Sequence, residues 1–252
     1  MCYLVSEEKW KQGNGLPKMR NFPVGSGDNQ AGGWVWGTKE KGKAMFKGLE
    51  NLEKAIFPGV GTYNIPQIHP VTSPLPGEWR SFNYAKTEKH PEDKGLHFFV
   101  DDYQFTRCWN QPDRYLPIIQ RFRSVCSPDF STYTDMPMAL QIYNHYRKHW
   151  LGAYWQSMGV TVIPTISWST RESFSWCFDG EPVGAVVAIS SVGTQNSTER
   201  RRIFLDGYEA MVDKLRPQSI LFYGQVPEEC KCNIVRVRSF SEELREVLCD
   251  GW

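Results

Sequence analysis

Leu96-His97-Phe98-Phe99-Val100 runs directly into Asp101-Asp102, and four more apolar runs end the same way. These are Val125-Cys126 before Ser127-Pro128-Asp129, Val160-Thr161-Val162-Ile163 before Ser167-Trp168, Ala185-Val186-Val187-Ala188-Ile189 before Ser190-Ser191, and Ile220-Leu221-Phe222 before Tyr223-Gly224. Short apolar runs bounded by turn residues read as strands buried on both faces, and helical periodicity follows most of them. The alternation predicts strand 96–101 with helix 112–123, strand 125–129 with helix 137–157, strand 160–166 with helix 170–178, and strand 185–190 with helix 198–215. Strands 219–223 and 233–237 and a closing helix 241–248 complete the series. Such units demand parallel pairing through right-handed crossovers. The fold class is α/β: a barrel-like (β/α) domain, incomplete or distorted, with parallel strands, or in the alternative an open doubly wound sheet. Gly224 to Asn233 is too short for a crossover helix, so the regular pattern breaks there.

Upstream the signals thin out. Ala44, Met45, Leu49, Leu52, Ala55 and Ile56 follow a helical period that Pro58-Gly59 ends, and a strand near 64–68 brings the parallel count to about seven. Residues 70–95, rich in Pro, Lys and Glu, read as a long connection with one helical turn. Glycines crowd residues 11–37, yet Trp34 and Trp36 there need cover from water. The expected organisation is a glycine-rich extension, 1–43, packed on a single α/β domain, 44–252.

With 252 residues, 40% of them hydrophobic, the chain can bury a full core without disulfide or metal. A net charge of +1 gives no whole-molecule attraction to nucleic acid or anionic membrane. Seven scattered cysteines fit a reducing compartment, and no apolar run nears the roughly 20 residues that cross a bilayer. A cytoplasmic protein with no membrane partner is expected.

Polar residues at the carboxyl ends of parallel strands are where α/β proteins keep their chemistry. Asp101 and Asp102 close one strand and Asp129 the next, and neighbouring strands run about 4.8 Å apart, so Asp129 and one of the pair can share a cleft. Asp101 and Asp129 are the candidate ligands for Mg²⁺ or Mn²⁺, and all three aspartates are candidates for acid–base work. The same aspartates also suit loop capping or pairing with Arg107 or Arg147. Ser190, Ser191, Gly193 and Thr194 form a hydroxyl-rich turn before a helix that starts near Ser197, which suits a phosphate as well as it suits capping. Trp168, Tyr103 and Tyr223 are candidate stacking surfaces around the same rim. His97 reads as a core histidine. Tyr143 and Tyr146 read as packing residues, because no His-x-His pair accompanies them as a replication nucleophile would require. Arg200-Arg201-Arg202 is the best local basic patch, and Cys230-x-Cys232 lacks the second pair of a zinc site.

Several stretches together resemble a known family: Val100-Asp101-Asp102-Tyr103-Gln104-Phe105, Ser127-Pro128-Asp129-Phe130-Ser131, Asp135-Met136-Pro137, Asn144 with Arg147, Tyr154-Trp155-Gln156, and Ile163-Pro164-Thr165 before Ser167-Trp168. The family is an uncharacterised one of phage, plasmid and mobile-element proteins of Gram-positive bacteria, a domain of unknown function, and the likeness spans roughly residues 60–225. It implies a mobile-element setting and carries over no activity. Two functions remain open. One is a phosphate-bearing ligand, such as a nucleotide, bound at the strand ends with metal-assisted phosphoester hydrolysis. The other is a non-enzymatic interaction protein of mobile-element replication or counter-defence that captures a host factor, a signalling nucleotide or DNA, so that a nucleic acid or host protein is a candidate partner.

Overall fold

The computed structural model describes residues 48–71, 74–240 and 242. The expected glycine-rich extension and all but one residue of the closing helix lie outside them. A two-stranded antiparallel hairpin, β1 (Gly59–Val60) and β2 (Ile65–Pro66), precedes four parallel strands in the order β3 (Trp79–Ser81), β4 (Gly95–His97), β5 (Ser124–Cys126) and β6 (Val162–Ile163). Three more parallel strands follow: β7 (Val186–Ser190), β8 (Ser219–Tyr223) and β9 (Ile234–Val237). A single bridge, Thr165 to Ala188, joins the two sets, with Ile166 N–H donating to Ala188 O at 2.8 Å and Ala188 N–H to Pro164 O at 2.8 Å. Hydrogen-bonded neighbours are thus consecutive in the chain from β3 to β9. Among the described residues no ladder joins β3 to β9, so no closed barrel is present.

Four helices fill the crossovers: α1 (Asp102–Asn110) and α2 (Pro112–Ile119) between β4 and β5, α3 (Met138–Ser157) between β5 and β6, and α4 (Thr198–Leu215) between β7 and β8. Asp102 in the first turn of α1 and Pro112 at the start of α2 both suit helix N-termini. Ser197 caps α4 by accepting the Arg200 N–H, and Arg216 ends it in the left-handed conformation, φ 45°.

Strand residues alternate between two environments, as period-2 geometry requires. Leu96, Val125 and Val162 face Phe105, Trp109, Ile119, Trp150 and Trp155 of α1–α3, while Val187, Ile189, Ile220 and Phe222 face Phe204, Tyr208, Met211 and Leu215 of α4. The intervening residues Cys126, Ile163, Val186, Ala188 and Leu221 form one common cluster on the opposite face. Trp79 of β3 and Val237 of β9 pack against that same cluster.

Three expectations are corrected and a fourth is borne out in its missing helix. The strand near 65 is not a seventh parallel strand but half of the hairpin, and the seventh is β3, inside the stretch read as a connection. No helix occupies 48–57, where positive φ at Gly48, Glu50 and Asn51 leaves only a turn. The helix expected at 170–178 is a 3₁₀ turn, Arg171–Ser175. Finally, the short link 224–233 loses its helix but not its direction, since β9 still pairs parallel to β8.

Helix α4 approaches the β6–β7 loop closely at Gly207, where an added Cβ would lie 2.1 Å from Trp168 Nε1. Gly207→Ala is therefore expected to destabilise the fold by about 1–3 kcal/mol in urea unfolding, through overpacking. Adding Trp168→Leu should recover part of that loss, and strict additivity of the two changes would refute the contact.

Candidate functional site

Asp102 lies between two charged neighbours where β4 and β5 give way to their loops: Asp129, which it helps to shift, and Arg147, which feels its charge. Asp102 accepts from Ser131 twice, from the main-chain N–H at 3.2 Å and from Oγ at 2.8 Å, which ties the β5 loop to the start of α1. Asn144 on α3 donates to Ser131 O at 2.6 Å and accepts from Arg147. The Arg147 guanidinium lies 4.0 Å from the Phe130 ring centroid and 4.9 Å from that of Tyr143. Its Nε is buried without a hydrogen-bond partner. Asp129 is half-buried. Burial pushes its carboxyl up to about 7; the Lys148 charge opposes the shift and Asp102 adds to it.

The other expected site residues are dispersed. Asp101 is exposed; its carbonyl accepts the Gln104 N–H at 2.9 Å, and its carboxylate has a long contact from Gln104 Nε2, 3.5 Å. Tyr103 is 79% exposed at the first turn of α1. Trp168 lies against Phe204 and over Gly207, so part of its indole is covered by α4. Tyr223 is buried, stacks on Phe99 at 4.8 Å and lies tilted against His97 at 4.8 Å. Burial pushes His97 down to about 3, and its Nδ1 accepts the Phe99 N–H. In the turn after β7, Ser190 Oγ accepts from Val192 N–H, Ser191 Oγ donates to Gln225 O and Thr194 Oγ1 donates to Ser191 O. Gly193 there has φ 78°. All three hydroxyls are engaged within the protein.

A polar group that the sequence reading overlooked lies deeper. Lys148, 1% exposed, donates from Nζ to Thr165 O at 2.6 Å and lies 3.0 Å from Glu181 Oε1. Glu181 Oε1 is also 2.8 Å from His149 Nε2, while Oε2 is buried without a partner. Burial pushes Glu181 up, but the charges of His149 and Lys148 more than offset it and hold the carboxyl below its ordinary range. His145, one turn before His149, places its ring centroid 4.3 Å away, and burial holds it well below the usual histidine value. Among the described residues, His145, His149 and Glu181 are the only three such side chains whose ligand atoms lie within 4.8 Å of one another. Asp101, Asp102 and Asp129 make no such group. The readable signal was His145-x-x-x-His149 on a predicted helix; Glu181, 32 residues further on in a loop, left none.

Fold and site together define a parallel α/β protein with paired carboxylates and a stacked arginine at its strand ends. Residues 57–241 match the domain of unknown function DUF4417, and the chain belongs to that family. It is 37% identical over 204 residues to the Gene 1 protein of Mycobacterium phage D29, covering 79% of this chain and 75% of that protein. It is 39% identical over 189 residues to the Gene 1 protein of Mycobacterium phage L5, covering 74% and 82%. No solved structure matches it. No helix of the described residues is long and apolar enough to cross a membrane.

The raised Asp129 carboxyl has a direct stability consequence. Native Asp129 holds its proton up to about pH 7, whereas the unfolded chain releases it near 3.8, so stability from this group is lost as pH rises through that window. Asp129→Asn should therefore be more stable than the parent at pH 8 by about 1–2 kcal/mol, or roughly 2–8 °C in Tm, with a smaller gap at pH 5. Melting curves at both values decide it; a gap independent of pH would contradict the assignment.

Proposed function

We propose that this protein, like its family a mobile-element product, binds a phosphate-bearing ligand, with a nucleotide as the first choice, at the carboxyl ends of strands curled into an incomplete (β/α) barrel. The observation that carries the reading is the unpartnered Arg147 Nε, on a guanidinium that feels the Asp102 charge, with Asp129, poised near neutrality, close to that same Asp102. An arginine preset by ring contacts, with a donor still unspent, suits a phosphate oxygen. Asp129 can hold or release a proton at physiological pH, as a general acid or base must. A hard divalent ion such as Mg²⁺ or Mn²⁺ would take oxygens from Asp129 and Asp102 and complete its shell with water and phosphate, favouring phosphoester hydrolysis. Asp102 supports this role better than the exposed Asp101. The Ser190–Thr194 turn would contribute main-chain N–H groups, since its hydroxyls are engaged.

A second reading, capture without catalysis, draws on exposed aromatics beside this group: Tyr103 directly after Asp102, and Tyr133, 64% exposed, two residues past Ser131. Such rings can stack on a base or seat a protein partner.

The deciding experiment is thermal unfolding against nucleotides, sugar phosphates and oligonucleotides, with and without Mg²⁺ or Mn²⁺. A ligand at 100 times its Kd should add about 2.7 kcal/mol of stability. The metal-dependent part is expected to vanish in Asp129→Asn, and Arg147→Lys should weaken every phosphate ligand by roughly tenfold or more. Turnover that survives Asp129→Asn while still requiring metal would sink the aspartate assignment, and silence from every small ligand would favour capture.

A further inference from the structure

The buried cluster on the inner side of α3 has the anatomy of a transition-metal site. His145 and His149 stand four residues apart on one helix, and both rings are buried, at 2% and 0% exposed. His145 Nε2 lies 3.0 Å from Asp179 O, and His149 Nδ1 lies 2.8 Å from Pro66 O. A carbonyl can only accept, so each of these nitrogens carries its proton. In a neutral ring the other nitrogen, His145 Nδ1 or His149 Nε2, then carries the lone pair, and the three side chains bring one ligand atom each within 4.8 Å of one another. Metal-binding histidines are held in this way, by an outer N–H fixed on a carbonyl that sets tautomer and ring orientation.

Glu181 supplies the third donor. Lys148 and His149 share Oε1, which leaves the buried Oε2 as an acceptor without any donor. An orphaned carboxylate oxygen in the interior is costly unless something positive meets it. The backbone is shaped to bring these groups together. Gly180, at φ 79°, has no space for a side chain: an added Cβ would lie 2.5 Å from Pro66 O and 2.7 Å from His149 Nδ1. Gly180 O in turn accepts the Ile68 N–H at 2.9 Å. Three separate segments, the end of the hairpin, α3 and the 179–181 loop, are thus locked around one point.

We propose that His145, His149 and Glu181 bind one divalent transition-metal ion, with Zn²⁺ as the best match. Two imidazoles and one carboxylate are a donor set for zinc or its first-row neighbours and a poor one for Mg²⁺ or Ca²⁺. The helical His-x₃-His spacing is that of zinc-dependent hydrolases, but Tyr146 stands directly after the first histidine, where their general-base glutamate would be. The ion here is therefore structural: it pins the hairpin, α3 and the 179–181 loop, and it supplies the positive partner that the buried Glu181 Oε2 lacks.

The test starts from wild-type protein purified without a metal-chelating tag and dialysed against a weak chelator. Elemental analysis should find close to one Zn²⁺ per chain. A strong chelator should lower Tm, and added Zn²⁺ should restore it where Mg²⁺ does not. Co²⁺ substitution should give visible absorption bands of tetrahedral or five-coordinate nitrogen–oxygen ligation, lost in His145→Gln and retained in Asp129→Asn. Retention in Asp129→Asn separates this site from the strand-end carboxylates. A metal-free wild-type protein whose Tm and spectrum respond to none of Zn²⁺, Co²⁺, Mn²⁺ or Fe²⁺ overturns the proposal, whether or not the variants fold.

Discussion

A buried ammonium ion organises this molecule. Withdrawing the Lys148 head group from water costs on the order of several kcal/mol, and the cost is tolerable only if its donors are met in good geometry. The protein meets them with Thr165 O, at the end of β6, and with Glu181, from the loop beyond the 3₁₀ turn. Thr165 is itself clamped to β5: its N–H donates to Ser127 Oγ and its Oγ1 to Ser127 O. One charge on α3 therefore fixes the ends of two neighbouring strands and the return of the chain toward β7. The same charge is what opposes the upward shift of Asp129, so the strand-end carboxylates and the deep His145–His149–Glu181 group are electrostatically linked through a single side chain.

Much of the fold was legible because its strands are fully buried. Val186–Ser190 and Ser219–Tyr223 read as continuous apolar runs, and α3 and α4 emerge at almost their true limits, since Pro137 and Ser197 mark their starts. Trp79–Ser81 was not legible: three residues, one of them arginine, make no apolar run, and what holds them is pairing to Gly95–His97 rather than local preference. Conversely, the periodic residues from Leu49 to Ile56 suggested a helix that tertiary contacts override. Asn51 gives its amide to Trp109 O, and Ala55 O accepts from Trp150 Nε1, so the segment is shaped by the helices it touches.

The site divides in the same way. Asp102 and Asp129 could be placed together because adjacency of parallel strands follows from the alternation itself. Which member of the Asp101–Asp102 pair turns inward could not be read, because that depends on where α1 begins; with Asp102 as its first residue, Asp102 meets Ser131 and Asp101 stays outside. Asn144 and Arg147 were visible as the polar flank of a helix, but their alignment over Phe130 is a matter of three-dimensional packing. The Lys148–Glu181 pair was invisible for the plainest reason: charged residues are rarely buried, and no local pattern announces a partner 33 positions away.

The strand order has a consequence for how the molecule is made. Every ladder partner from β3 to β9 is the next strand in the chain, so each pairing can close as soon as its crossover has left the ribosome, without waiting for a distant segment. The one weak seam, the Thr165–Ala188 bridge, falls between the two sets of strands. Synthesis can therefore lay down β3 to β6 as one register and β7 to β9 as another, the two joined by one bridge of backbone groups and the side-chain cluster beneath it.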